Sequence, residues 1–233
     1  MILPKDHEIE RLRTVYRDYG EVEGRWNSEN RGNRLIVAEL QRRTARLLQT
    51  HRLLPLRDCK ILEVGCGGGW FLSTMQALGA SAANLHGIDL LPDSIQAARS
   101  KYPELNFQVG NAERLPYADA SFDLVLVVTV FTSILQPEMR ANIAAEINRV
   151  LSSEGSILWY DFRYDNPWNP HVRGVPRAEI AKLFPGFATD LETITLVPQL
   201  ARRLGPLAPP LYGLLATLPF LRTHYLGLLR RRP

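Results

Sequence analysis

The segment Ile61-Leu-Glu-Val-Gly-Cys-Gly-Gly-Gly-Trp70 carries the densest chemical signal in the chain. A short apolar run delivers an acidic residue, Glu63, into glycines at 65, 67 and 69, and a helical pattern opens at Trp70. Glycine accepts positive φ and lets a ligand approach the backbone. A helix start adds N–H groups that have no partner within the helix. Ligands of open α/β sheets collect at the carboxyl ends of the strands, so a nucleoside-type ligand is expected over this turn. The spacing narrows the choice. The dinucleotide pattern G-x-G-x-x-G is not met, because the third glycine comes one residue early and Trp70 stands where the last glycine belongs. No Gly-Lys-Ser or Gly-Lys-Thr triplet occurs, which excludes a phosphate-binding P-loop. The plain alternative is a tight strand–helix turn with no ligand.

The elements that must hold this turn follow from periodicity. Residues 60–64, 85–89, 105–109, 122–131 and 156–161 read as strands, the last preceded by a turn at Gly155. The apolar run at 124–128 fits a strand buried on both faces of a parallel sheet. Helices are expected over 70–78, over 94–102 with Asp93 as N-cap, over 137–150 and over 177–184. Two more strands are expected at 188–197 and 223–229. Ahead of them, helical spacing covers 5–19 and 34–51, separated by a polar loop. Alternation of strand and helix argues for an open α/β sheet.

With Glu63, the turn and its surroundings resemble the first motif of the class I S-adenosylmethionine (SAM) methyltransferases. Asp89 ends the second strand 20 residues past Gly69, where the resemblance implies an acceptor for the two ribose hydroxyls. Leu90 then falls where the family packs an apolar side chain on adenine. Val109-Gly-Asn-Ala-Glu-Arg-Leu-Pro116 is similar to the family's Gly-Asp-Ala-x-x-Leu-Pro stretch, with Asn111 in place of aspartate and Ala112 beside it. Phe122-Asp-Leu-Val resembles the fourth strand, which would end at Thr129 beside the sulfonium. The resemblance spans about residues 58–160. It implies a Rossmann-like seven-stranded sheet flanked by helices, its last strand antiparallel, with SAM as cofactor and S-adenosyl-L-homocysteine as product. In this reading Glu63, Gly65, Cys66, Gly67 and Gly69 face the methionine end of the cofactor, Cys66 as a small turn filler and not a nucleophile. Residues 1–52 would form a helical lid on a SAM-binding domain at 53–233.

The methyl acceptor is less constrained. A hydroxyl acceptor benefits from a general base within reach, and histidine is the usual choice. Among five histidines, His171 lies in the long polar segment after the fifth strand, on the ligand side, and is the candidate base; a surface-loop histidine is the alternative. Asp161 shares that end of the sheet and reads equally as a catalytic group or a loop cap. Arg163 and Trp168 in the same segment, with Tyr16, Tyr19 and Trp26 near the N-terminus, are candidate acceptor contacts. Thr129-Val-Phe-Thr132 lacks the Asx-Pro-Pro-aromatic signature of nucleobase amino-methylation, and neither Cys59 nor Cys66 follows a proline, as cytosine C5 chemistry requires. A small-molecule acceptor remains: a sugar, glycolipid or secondary-metabolite hydroxyl, with C- or N-methylation of a quinone-like or amine metabolite, or a non-catalytic partner subunit, as alternatives.

Composition bounds these readings. The chain has 233 residues, 28 Lys and Arg against 24 Asp and Glu, and 45% hydrophobic residues, which is ordinary globular usage. A net charge of +4 is too small to imply nucleic acid. Two cysteines exclude a disulfide scaffold and a four-cysteine zinc site, and no metal site is expected. No leader segment is readable at the N-terminus, so a cytoplasmic location is expected; the oligomeric state is open. Leu204 to Leu221 is 18 residues without a formal charge, long enough to suggest a membrane span, but four prolines and two glycines interrupt it. Either it covers the sheet, or it forms an exposed apolar surface near a basic end (Arg222, Arg230, Arg231, Arg232) that touches a membrane or a lipid-linked acceptor.

Overall fold

The computed structural model describes residues 4–21, 28–167, 169–205 and 208–232. Two helices come first, α1 (Pro4–Glu21) and α2 (Arg31–Thr50). There follow β1 (Ile61–Val64), α3 (Trp70–Ala77), β2 (Leu85–Asp89), α4 (Pro92–Lys101), β3 (Asn106–Val109), β4 (Phe122–Val128), α5 (Pro137–Val150) and β5 (Leu151–Phe162). The chain continues through α6 (Arg177–Leu183), β6 (Phe187–Leu196), α7 (Pro198–Arg203), α8 (Ala208–Leu215) and β7 (Arg222–Arg231). The seven strands form one sheet in the order β3-β2-β1-β4-β5-β7-β6. β1 to β5 run parallel, and β7 is antiparallel to both neighbours, β5 and β6.

Register fixes where ligands can sit. Val64 lies beside Ile88 and Val127, Asp89 beside Val109, and Val128 beside Tyr160. Five strands therefore end along one edge. Alternating residues fill two layers. Leu62, Val64, Val127 and Trp159 pack under α1, α5 and α6 through Leu12, Ile143, Ile147 and Ile180. Ile61, Leu124, Leu126 and Leu158 pack under α2, α3 and α4 through Leu40, Leu48, Phe71, Met75 and Ile95.

Two expectations need correction. The helix after β2 begins at Pro92, where the missing N–H costs no hydrogen bond, so Asp93 lies in the first turn and Leu91 takes the cap position. β5 starts at Leu151 directly after α5, with no turn at Gly155. Leu151 pairs with Phe122, Ser156 with Leu124, and the intervening residues form a bulge. Polar Ser152, Ser153 and Glu154 mimic a turn in the sequence, but the strand runs on through them and its pairing with β4 resumes at Ser156. The uncharged segment 204–221 holds α8 and a short turn at Pro219–Leu221, and α7 lies just before it. Pro198 and Pro219 begin helical turns, where proline is tolerated. Among the described residues no helix is long and apolar enough to cross a membrane.

α8 is moored by Ala208 and Tyr212, which are buried. The Tyr212 hydroxyl donates to Glu39 Oε2 of α2 at 2.6 Å, and the same oxygen accepts the Thr195 N–H at 3.2 Å. Tyr212→Phe removes a hydrogen bond to a buried carboxylate and is expected to lower unfolding stability by about 1–2 kcal/mol. Urea denaturation checks this; an unchanged midpoint would mean that the hydroxyl contributes nothing.

Candidate functional site

The glycine turn hangs from β2: the Gly65 and Cys66 N–H groups both donate to Ile88 O, at 2.8 and 3.1 Å. Two glycines are required for different reasons. Gly69 has φ +77, and a Cβ there would lie 2.5 Å from the Phe107 ring. Gly67 has φ +49, yet nothing lies within 4 Å of where its Cβ would be, so its backbone faces open space. Cys66 is buried, and burial pushes its thiol well above the ordinary range. Its sulfur fills the space that a side chain at Gly87 would need. That makes it a filler of the turn.

Two carboxylates flank the turn. Glu63 is 2% exposed, lies opposite Gly87 and Leu126 in the register, and has a hydrogen bond to the Leu72 backbone at the start of α3. Its Oε2 is buried with no hydrogen-bond partner among the described residues. Burial, reinforced by the negative charge of Asp89, raises its carboxyl well above the usual range. An orphaned buried acceptor of this kind calls for a donor. Asp89 accepts the Gly67 N–H on one oxygen at 2.8 Å and the Leu91 N–H on the other at 2.9 Å. Burial raises its pKa, and these N–H groups oppose the rise. Each carboxylate oxygen has a second lone pair for a ligand.

The remaining residues expected on the cofactor side line the same edge. Leu90 and Ala112 are half-buried against the core. Asn111 Oδ1 accepts the Glu113 N–H at 2.9 Å, closing a local turn after β3. Thr129, just past β4, adopts φ +55, a left-handed conformation uncommon for a β-branched residue. Its N–H donates to Tyr160 O at 2.7 Å. Such outliers cluster where structure serves a site.

Next to this cradle, three distant segments are stitched together over the ends of β4 and β5. Arg11 of α1 donates to Ser133 O at 2.5 Å and to His171 O at 3.5 Å. Glu8 accepts the Leu135 N–H at 2.6 Å, and the Tyr16 hydroxyl lies 2.5 Å from Ser133 Oγ. The Arg173 N–H donates to Thr132 O at 2.8 Å. His171 and Tyr16 thus border one exposed region. Sequence reading missed Glu8, Arg11 and Ser133; the only trace was a carboxylate and a guanidinium three residues apart on one helix.

Asp161 sits beneath. It is fully buried, accepts the Thr132 and Phe162 N–H groups at 3.1 and 2.8 Å, and burial pushes its carboxyl up to about 7. Those contacts are those of a brace for the turn after β4. Arg163 points elsewhere: its guanidinium lies over the Tyr164 and Tyr225 rings and donates to Pro219 O at 3.4 Å. Tyr19 lies in α1, but its side chain, like Trp26 and Trp168, falls outside the described residues. Two other histidines are enclosed by rings. His224 stacks on Tyr160, and burial lowers its pKa to about 3; His86 meets Tyr117 and Phe122 edge-on.

Comparison with known proteins gives this geometry a family. A methyltransferase domain profile matches residues 62–159. An O-methyltransferase of Aspergillus nomiae is 30% identical over 169 residues, covering 69% of this chain and 68% of that protein. Demethylmenaquinone methyltransferase of Chlorobaculum parvum is 36% identical over 99 residues, 42% of this chain. The matched part is only 39% of that protein, so the chain spans less than half the length of this relative. In three dimensions, the Burkholderia thailandensis 1,6-didemethyltoxoflavin-N1-methyltransferase, solved with S-adenosylhomocysteine bound, superposes with a TM-score of 0.67 at 17% identity, covering 100% of this chain and 92% of that one. A sheet with an antiparallel β7, a Glu63-Gly65-Gly67-Gly69 turn and an identity of 30% across two thirds of a relative make the chain a member of the class I SAM-dependent methyltransferases.

Proposed function

We propose that this protein transfers a methyl group from SAM to a hydroxyl of a small molecule. The observation that carries the cofactor assignment is the buried, unpartnered Oε2 of Glu63 beside the open backbone of Gly67. A carboxylate there suits the amino group of the methionine end, and Gly65, Cys66 and Gly69 shape the backbone around it. Asp89 suits the ribose hydroxyls. Leu90, Asn111 and Ala112 border the adenine side, and Thr129 borders the reactive side. When bound, SAM supplies a methyl carbon attached to positively charged sulfur. The chain's own part is to orient the acceptor, keep water out and take up a proton. His171 is assigned as the acceptor of the hydroxyl proton, and Tyr16 as an acceptor contact. Asp161 acts as a positioning residue that holds the Thr132 backbone. In the domain arrangement proposed, residues 53–233 form the catalytic unit and residues 1–52 its cap, with α1 over the acceptor region.

Support for oxygen as the target comes from the Aspergillus relative, an O-methyltransferase that is matched over the greater part of both chains. The demethylmenaquinone relative keeps carbon methylation of a quinone-like acceptor as the second reading. The test is product analysis by mass spectrometry, with SAM and a panel of sugars, phenols, quinone precursors and amines. His171→Ala is expected to lower kcat about 10²-fold or more while leaving SAM affinity unchanged, the usual size of a general-base contribution. Unchanged turnover would remove His171 from the mechanism, and a C-methylated product would replace the hydroxyl reading. SAM binding without any methylated product would favour a partner subunit.

A further inference from the structure

The outer side of α8 and the turn that follows it are apolar and unshielded. Leu214 is 65% exposed, Phe220 71% and Leu218 38%, whereas Ala208 and Tyr212 on the inner side of α8 are buried. Large side chains this exposed on a firmly moored helix mark a contact surface. The sequence around them is one-sided in charge. No Asp or Glu occurs after Glu192, while arginines stand at 202, 203, 222, 230, 231 and 232. The first three flank the apolar apex; the last three lie at the far end of β7. Arg163 and Arg222 reach the apex and donate to neutral carbonyls, those of Pro219 and Ala216. Arg203 is exposed. Among the described residues no ion pair involves Arg163, Arg203 or Arg222. Tyr164, 40% exposed, sends its hydroxyl to the Phe220 and Arg222 carbonyls at 3.3 Å, an aromatic with one anchored polar end.

Topology puts this apex near the acceptor. β7 starts at Arg222 and runs antiparallel to β5, with Phe162 beside His224. The turn before β7 therefore lies at the edge where β1 to β5 end. Arg163 links the acceptor segment to the apex through Pro219.

We infer that the apex of Leu214, Leu218 and Phe220 docks on an anionic lipid bilayer, with Arg163, Arg203 and Arg222 meeting the headgroups. Apolar side chains entering the boundary region beside basic residues that face anionic lipid are the two contributions that together hold a peripheral protein. A symmetric second copy would set these same arginines against one another. If the proposed methyl transfer is right, docking turns the acceptor region toward the membrane, and the substrate class becomes a hydroxyl-bearing lipid or lipid-linked molecule.

The experiment is co-sedimentation of the full chain with phosphatidylcholine vesicles that do or do not contain phosphatidylglycerol, at low salt. The expected result is binding to the anionic vesicles that weakens as salt rises and is much weaker on neutral ones. The double variant Leu214→Asp and Phe220→Asp is expected to bind about tenfold less or worse, with unchanged thermal midpoint and SAM affinity. The milder Phe220→Gln, which adds no charge, should fall between. No sedimentation of the wild type overturns the inference, as does equal sedimentation of wild type and both variants. Light scattering that shows a dimer dissolved by the double variant, without vesicle binding, assigns the surface to a second copy instead. None of these readouts uses methyl transfer. Loss of the enzymatic reading with vesicle binding intact would leave docking standing, and the converse result would remove docking alone.

Discussion

Asp89→Ala is expected to reduce SAM affinity at least about hundredfold, measured by calorimetric titration. The carboxylate ends β2 and is held by the Gly67 and Leu91 N–H groups, one on each oxygen. That arrangement fixes both oxygens at the edge of the sheet and leaves a lone pair on each for a vicinal diol. Two hydrogen bonds to a charged acceptor are worth about 1.5–3 kcal/mol apiece, and each 1.4 kcal/mol is about tenfold in affinity. Alanine also releases the Gly67 N–H, so the turn that should carry the methionine end loses a support. S-adenosylhomocysteine shares the ribose and should weaken in parallel. An affinity within about threefold of wild type would exclude Asp89 from the cofactor contact. Asp89→Asn separates charge from shape: its amide nitrogen must face one of two backbone donors, so it should recover little.

The second large effect is a pH dependence set by Glu63. Burial holds its carboxyl above the ordinary range, so the folded protein keeps a proton that the unfolded chain has already lost. Stability assigned to this group is therefore greatest at low pH and declines as pH rises from the ordinary carboxylate range to the folded pKa, then levels off. Cofactor binding has the opposite slope. A cationic amino group attracts the anion, so binding releases the proton, and SAM affinity should climb by up to about tenfold per pH unit until Glu63 ionises unaided. In Glu63→Gln the slope assigned to this residue disappears and affinity at high pH drops. Asp89 is also raised by burial, so the quantity to compare is the difference between wild-type and variant profiles. Calorimetry from about pH 5 to about pH 9, in two buffers of different ionisation enthalpy, counts the released protons. A Glu63→Gln profile parallel to wild type would mean that Glu63 never ionises on binding and serves only to brace α3.

Local features were the legible ones. Glycines at 65, 67 and 69 followed by a helical pattern specify a backbone path, and the structure realises it with three positive φ values. β2 and α5 occur over the residues that the pattern marks, 85–89 and 137–150, because each is bounded by strong signals. Non-local pairings were not readable. Glu8 meets Leu135 and Arg11 meets Ser133 across more than a hundred residues, and nothing in the spacing of α1 names those partners. The start of β5 was hidden by Ser152, Ser153 and Glu154, whose types favour a turn until Phe122 supplies a strand for Leu151. Asp161 was conspicuous by type, but it is buried against the turn after β4, whose Thr132 N–H it accepts, and local sequence does not announce that contact.

The placement of β7 has a consequence for the order in which this molecule can assemble. β1 to β5 join through short successive units, each strand pairing with one already made or soon to follow. β6 is different: its only sheet neighbour is β7, which comes later in the chain and must slide between β5 and β6. During synthesis, β5 therefore waits with an open edge while β6, α7 and α8 are made. An unpaired apolar edge is where chains aggregate. One feature eases the late insertion. Gly227, whose added Cβ would fall 1.9 Å from Asp190 O, lets the incoming strand fit a tight slot. The five parallel strands and their common edge can thus be complete while β6, α8 and β7 are still unfinished.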